Sequence, residues 1–502
     1  MLKSITDALD QSAERFGSKT AFCSDSEESC FSDFASDARK IGTYLLKNGL
    51  EKRNVAIFID KSVNCLRAMF GSAYANVCYT VLDISSPKER LESILNTLKP
   101  ACVIVDTMSA ARWTAEGFPV FRLDAMLGGE TDASLLARAH AAMCDTDPLY
   151  ILFTSGSTGV PKGTVICHRS VLAYASTICK TFSIDETTVW GSQTPLYFSM
   201  SVLDVFSTVL SGATFCIIPK LYFSFPGMLM EYLNEKKINA IYWVPSAMNI
   251  VANFNTFDEI RPLYLKKVLF AGEVMPVKPL NVWRCALPNA LFANLYGPTE
   301  ITDTCTYFIV NRAFANHESL PIGVPFDNCD VLVLDENNQL VLPGSDKSGE
   351  LCVRGSFLGL GYYNNPEKTA AVFTQNPLNQ SYPEMIYHTG DLVGYNEHAE
   401  LIYFGRKDFQ IKHMGYRIEL GEIEATIGAV DGITDCACVY ANQQIILFYQ
   451  SAKLDEQTLQ LEIKQRLVSY MQPTKLIRLK ALPHNANGKI DRKQLKATVV
   501  ET

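Results

Sequence analysis

Residues 154 to 163 read Thr154-Ser155-Gly156-Ser157-Thr158-Gly159-Val160-Pro161-Lys162-Gly163, directly after the apolar run Leu149-Tyr150-Ile151-Leu152-Phe153. Glycines let backbone N–H groups close on an anion, hydroxyls donate further hydrogen bonds, and a lysine adds a mobile positive charge. The segment therefore predicts a cradle for the phosphates of a nucleoside triphosphate. It does not follow the P-loop pattern, which has glycine just before the lysine and Ser or Thr just after it; here those places hold Pro161 and Gly163. A polar surface turn shares the same composition, so the rest of the chain has to decide.

The elements that would hold such a loop alternate between β and α periodicity. The first 20 residues read as an amphipathic helix with Ile5, Leu9 and Phe16 on one side. Strands are predicted at residues 54–59, 102–105, 240–244 and 267–270, several running into Gly, Pro or Ser turns as βα units do. From about Pro325 the pattern changes to short strands and turns, such as residues 331–334 and 351–353, and residues 375–383 form a polar excursion expected to be a surface loop. Gly405-Arg406-Lys407-Asp408 is the last clear punctuation before a tail of mixed α and β character. The expected architecture is α/β, with a large domain over 1–407 and a small domain over 408–502.

A chain of 502 residues is too long for one core, and 48% hydrophobic with 20% charged residues is ordinary for globular proteins. No apolar run approaches the roughly 18 to 20 residues that cross a bilayer, and the amino terminus lacks a signal-peptide core, so a cytoplasmic protein without a membrane partner is expected. Fifteen cysteines scattered without CxxC pairs predict reduced, buried thiols, with Cys436 and Cys438 on one face of a strand. The net charge of −8 argues against nucleic-acid binding. Residues 473–497 run the other way, with seven lysines and arginines against one aspartate. That is either a solvated surface or a face for an acidic partner.

Six further motifs complete the set: Asn294-Leu295-Tyr296-Gly297-Pro298-Thr299-Glu300, Gly349-Glu350-Leu351, Tyr387-His388-Thr389-Gly390-Asp391-Leu392, Gly405-Arg406-Lys407-Asp408, residues 415–424 from Gly415 to Glu424, and Asn487-Gly488-Lys489-Ile490-Asp491-Arg492. In this order and spacing the chain resembles the adenylation domains of nonribosomal peptide synthesis, within the acyl-adenylate-forming superfamily. Phe198-Ser199-Met200-Ser201-Val202-Leu203-Asp204, residues 271–277 and residues 408–412 draw it nearest to stand-alone D-alanine:carrier-protein ligases. The resemblance implies a large domain of two α/β subdomains and a β-rich subdomain, with a small mobile α+β domain after it. It also implies a monomer that uses ATP and Mg²⁺ to join a small amino or carboxylic acid to AMP, then passes the acyl group to the phosphopantetheine thiol of an acidic carrier protein.

By the same resemblance, Thr154, Ser155, Gly156, Ser157, Thr158, Gly159 and Lys162 hold the pyrophosphate end, Thr299 contacts phosphate, and Glu300 holds the metal, as hard carboxylate oxygen suits magnesium. Tyr296 offers its face to adenine with Asn294 at the polar edge, Asp391 meets the ribose, and Arg406 reaches ribose or phosphate; Gly272, Glu273 and Gly297 complete the nucleotide set. Lys489, delivered by the small domain, would bridge the charge developing on carboxylate and α-phosphate. A rotation about Asp408 would then exchange Lys489 for the segment of Lys412 and Gly415, which serves thioester formation.

The matching substrate positions are Ser199, Met200, Leu203, Trp243, Leu269, Ala271, Leu295, Asp303 and Thr304. Most amino-acid-activating relatives have an aspartate where Ser199 stands, paired with the substrate's α-ammonium. An ammonium buried without its partner loses about 2–5 kcal/mol, so Asp303 becomes the group to explain. It could take the α-ammonium of a small amino acid, meet an amine further along the substrate, or face a substrate with no amine. An acyl-CoA ligase of the same superfamily and a catalytically silent nucleotide-binding protein are the competing functions. His168 could approach the nucleotide or open its helix as a structural residue.

Overall fold

The computed structural model describes residues 2–156, 160–451, 453–484 and 490–500. They form two compact units, one of Met1–Ile84, Lys99–Leu152 and Thr164–Lys407, the other of Ser85–Leu98, Phe153–Gly163 and Asp408–Thr502. Among the described residues the first unit contains sheets of nine, seven and five strands.

The nine-stranded sheet carries most of the candidate site. Its strands Thr214–Ile217, Val189–Ser192, Ala240–Trp243, Lys267–Phe270 and Leu291–Tyr296 pair in parallel, linked through the helices Ser201–Ser211, Pro226–Glu235, Pro245–Asn253 and Val277–Ala286. Parallel neighbours need such crossovers, and burial on both faces explains why they read as nearly unbroken apolar runs. All of their carboxyl ends point to one edge, the edge where ligands bind in open α/β sheets. The segments that follow these strands supply Ser199, Ala271 and residues 297–304.

In the seven-stranded sheet, Asn54–Phe58 pairs in parallel with Cys78–Val81 and Cys102–Val105; the first and the last of these lie where the sequence places strands. The helix Ile5–Phe16 opens with a capping box, in which the Ser4 hydroxyl accepts from the Asp7 N–H and the Asp7 carboxylate accepts from the Ser4 N–H. The five-stranded sheet is antiparallel and joins Cys329–Leu334, Gly349–Gly355, Met385–Tyr395, Phe373–Gln375 and Leu401–Arg406. It is the β-rich region expected after residue 325, and it pairs Asp391 directly with Arg406.

The second unit centres on the antiparallel sheet of Ile433–Ala441 and Gln444–Ser451, with Lys475–Arg478 parallel to the latter. Cys436 and Cys438 point to one face of that sheet and join Ile418, Ile423 and Leu447 in its core. Gln410–His413 and Tyr416–Glu419 form a hairpin. Its two turn residues, Met414 at φ 52° and Gly415 at φ 80°, have the left-handed backbone that a two-residue hairpin turn demands. All fifteen cysteines are free, and only Cys144 and Cys285 are exposed. No helix among the described residues is long and apolar enough to cross a membrane.

Candidate active site

Tyr242, Leu269 and Ala293 are neighbours in parallel register, as are Trp243, Phe270 and Asn294. Side chains alternate along strands, so Tyr242 and Leu269 share one face, which Ala271 and Leu295 continue two residues further along. Trp243 therefore leaves the predicted substrate set. It lies on the opposite face with its Nε1 donating to the Gly191 carbonyl at 2.8 Å and its ring against Phe223 and Trp283, a core position. Tyr242 stands in its place, and its hydroxyl donates to Asp303 Oδ2 at 3.1 Å.

Asp303 is the hub of this cluster. Tyr174, from the helix His168–Phe182, donates to the same Oδ2 at 2.7 Å and lies 2.8 Å from the Thr304 hydroxyl. Burial, reinforced by the Asp303 charge, pushes the Tyr174 and Tyr242 hydroxyls well above the usual tyrosine pKa, so both remain protonated donors. The backbone that aims Asp303 is a three-residue turn: its N–H donates to the Ile301 carbonyl at 3.0 Å while Thr302 between them sits at φ 77°, ψ −58°. This is the strained form of the γ-turn, and a β-branched residue there is an outlier. The Thr302 hydroxyl holds the turn down by donating to the Phe357 carbonyl at 2.8 Å. Gly297 is required because a Cβ there would stand 2.4 Å from Thr304 Cα and 2.5 Å from the Asp303 carbonyl oxygen.

The same turn presents Thr299, whose hydroxyl donates to Ser199 Oγ at 3.2 Å, and Glu300, which is fully buried and accepts from the Tyr362 hydroxyl at 2.6 Å. Met200 and Leu203 are buried at the start of the helix Ser201–Ser211.

On the five-stranded sheet, the Asp391 carboxylate accepts from Arg406 Nη1 at 2.8 Å through Oδ1 and from the Tyr296 hydroxyl through Oδ2. Arg406 also donates to the Thr389 carbonyl at 3.0 Å. Each carboxylate oxygen keeps a further lone pair for a ligand hydroxyl. The Asn294 amide donates to the Pro321 carbonyl at 2.8 Å. Gly272 has φ 92°, and the carboxylate of Glu273 accepts from the Ser246 N–H at the start of the helix Pro245–Asn253.

In the second unit, Thr154 ends the strand Pro148–Thr154 and Lys162 begins the strand Lys162–Cys167. The Ser155 hydroxyl donates to the Arg417 carbonyl at 2.7 Å and accepts from the Glu419 N–H at 3.1 Å. The Gly156 N–H donates to Glu422 Oε2 at 3.0 Å, and Arg90 pairs with the other oxygen of that carboxylate. A carboxylate thus occupies an N–H that the sequence assigns to phosphate. Asp408 accepts from the Gln410 N–H at 3.1 Å, Lys412 lies in the hairpin, and Gly415 forms its turn. Ser157, Thr158, Gly159 and Lys489 lie outside the described residues.

His168 is structural. It is buried, its Nδ1 accepts from the Ile5 N–H at 3.2 Å, and burial lowers its pKa to about 4. Sequence reasoning missed Tyr174 and Tyr362, whose hydroxyls reach carboxylates far along the chain, and Thr302, whose hydroxyl ties the turn to the Phe357 carbonyl. Tyr242 is selected by a period of two from Leu269 and Ala271 only once the strands are paired.

Hydroxyl, carboxylate and tyrosine groups thus gather at the carboxyl edge of a parallel sheet, beside an aspartate–arginine pair. The AMP-binding enzyme family matches residues 9–363, and the chain belongs to it. It is 29% identical to the D-alanine–D-alanyl carrier protein ligase of Listeria monocytogenes over 99% of this chain and 100% of that protein. It is 29% identical to tyrocidine synthase 1 of Brevibacillus parabrevis over 98% of this chain, which spans 45% of that longer protein. The fold is that of the Vibrio cholerae adenylation domain AlmE, solved in complex with glycyl-adenosine-5'-phosphate, with a TM-score of 0.85 at 22% identity, covering 100% of this chain and 98% of that one.

Proposed function

We propose that the chain uses ATP to activate a small amino acid as its acyl-adenylate and then transfers the acyl group to the phosphopantetheine thiol of a carrier protein. The observation that carries this reading is the turn after the strand Leu291–Tyr296. It presents Thr299 and Glu300 together with Asp303, so groups suited to phosphate and metal lie within five residues of a buried carboxylate suited to an ammonium.

Adenylation demands charge neutralisation and in-line positioning more than a general base. Asp391 would accept from the ribose hydroxyls while Arg406 holds it in place, Tyr296 would flank adenine, and Thr299 would steady phosphate. Glu300 offers a hard oxygen donor that fits Mg²⁺, which when bound would neutralise phosphate charge. Lys489 would supply the cation at the reacting carboxylate. With Ser199 paired to Thr299, the amine of the substrate would be met by Asp303, held by Tyr174 and Tyr242. Asp408 would be the hinge between domains at 1–407 and 408–502, and Lys412 and Gly415 would serve the thioester step.

The test is exchange of labelled pyrophosphate into ATP with small α-amino, β-amino and hydroxy acids, followed by loading of a phosphopantetheinylated carrier or of free CoA. Exchange with an amino acid that is lost in Lys489→Ala, together with loading of the carrier, supports the reading. Loading of CoA alone would make the chain an acyl-CoA ligase, and exchange with no acid at all would make it a silent nucleotide binder.

A further inference from the structure

Three chemically reactive side chains outside the proposed site meet in the five-stranded sheet. Glu350 and Cys352 are two residues apart on the strand Gly349–Gly355, so both face the same side. Cys352 lies opposite His388 on the strand Met385–Tyr395, and the register slips between Glu350 and Cys352. That slip lets one imidazole serve both residues: His388 Nδ1 is 3.3 Å from Cys352 Sγ and 3.0 Å from Glu350 Oε2. The three donor atoms lie within 4.8 Å of one another.

Tetrahedral zinc, with bonds of about 2.0 Å to nitrogen or oxygen and 2.3 Å to sulfur, sets its ligand atoms roughly 3.3–3.7 Å apart. The separations of the His388 nitrogen from the thiol sulfur and from the carboxylate oxygen are close to that spacing before any ion arrives. It also has the outer partners that orient metal ligands. His388 Nε2 is 3.0 Å from the Thr374 hydroxyl, and Glu350 Oε1 accepts from the Gly390 N–H at 2.9 Å. A thiol, an imidazole and a carboxylate select a borderline-soft divalent ion over magnesium.

We propose that Glu350, Cys352 and His388 form a binding site for one zinc-class divalent cation, with water as the fourth ligand. Binding moves two protons. The Cys352 thiol proton leaves to solvent, and the imidazole proton shifts from Nδ1 to Nε2, where the N–H donates a hydrogen bond to the Thr374 hydroxyl. The Lys407 ammonium, 3.1 Å from Glu350 Oε2 with its side chain about half exposed, swings out as the ion takes its place. Because His388 is followed by Thr389, Gly390 and Asp391, the ion would pin the segment that carries the Asp391 carboxylate.

The test uses the full chain, freed of metal with EDTA and titrated with Co²⁺, whose thiolate complexes give a charge-transfer band in the near ultraviolet. One equivalent should develop the band, and Zn²⁺ should displace it. Cys352→Ser should abolish the band, and His388→Gln should weaken binding at least tenfold. Lys407→Met should tighten binding, a gain that general damage to the fold would not produce. No band in the unaltered chain, or the same band in Cys352→Ser, would overturn the proposal, as would a Lys407→Met variant that binds more weakly while melting at the unaltered temperature.

Discussion

The Tyr174 hydroxyl lies 2.7 Å from Asp303 Oδ2, so a buried carboxylate is held by a side chain from a helix 129 residues earlier in the chain. If Asp303 meets the substrate's amine, Asp303→Asn removes its charge while keeping its shape. Discrimination between an amino acid and the matching hydroxy acid, read as the ratio of their exchange kcat/KM values, should then fall by about 30-fold or more, from the roughly 2–5 kcal/mol of a broken buried charge pair. Tyr174→Phe should cost about 1 kcal/mol, or roughly fivefold. An unchanged ratio in Asp303→Asn would show that the amine is met elsewhere.

Ser199 accepts from Thr299 at 3.2 Å. Replacing it by aspartate puts a negative charge at the position that pairs with the α-ammonium in related enzymes. Ser199→Asp should lower KM for α-amino acids relative to β-amino acids, measured by pyrophosphate exchange. Failure with every α-amino acid would mean that the substrate positions are misassigned.

The repeated βα units were legible in the sequence because buried parallel strands are short apolar runs ended by turn residues, as at residues 102–105 and 267–270. The family was legible because the residue types and order of its motifs are restrictive. Trp243 was misplaced because a one-residue shift moves a side chain to the other face of a strand, and only the pairing with Leu269 and Phe270 resolves it. The bonds of Tyr174 and Tyr362 were beyond reach because they join segments 129 and 62 residues apart. The grouping of residues 85–98 and 153–163 with the carboxyl-terminal unit has no local signal at all.

Asp391 and Arg406 form a buried pair, with side chains 3% and 10% exposed. Arg406→Ala leaves the carboxylate buried without its cation and should lower stability by about 3–5 kcal/mol. The double variant Arg406→Ala with Asp391→Asn should be more stable than Arg406→Ala alone. Urea unfolding of both checks this, and equal losses would mean that the pair is not coupled.

Burial holds His168 at a pKa of about 4, below the ordinary 6.5. Between these values the unfolded chain takes up a proton that the folded chain refuses. The stability contributed by the neutral ring is therefore complete above pH 6.5 and is lost as pH falls toward 4, on the order of 3 kcal/mol in total. His168→Gln should flatten that part of the urea-unfolding profile, and a slope identical to that of the unaltered chain would assign the acid sensitivity to other groups.

Arg478, Lys480 and Lys493 are all exposed, and Arg478 donates to the Ser451 carbonyl. If the basic carboxyl-terminal stretch meets an acidic carrier protein, Lys480→Glu with Lys493→Glu should slow carrier loading several-fold and reduce its salt dependence. Pyrophosphate exchange should stay the same. Loading at the original rate would remove this surface from carrier recognition.

The mirror-image backbone at Thr302 sets robustness against discrimination. Glycine there would relieve the backbone strain, yet it would also give up the bond to the Phe357 carbonyl and free the peptide that points Asp303 at Tyr174 and Tyr242. A chain eased in this way would hold its acidic group less firmly and would be a less choosy one.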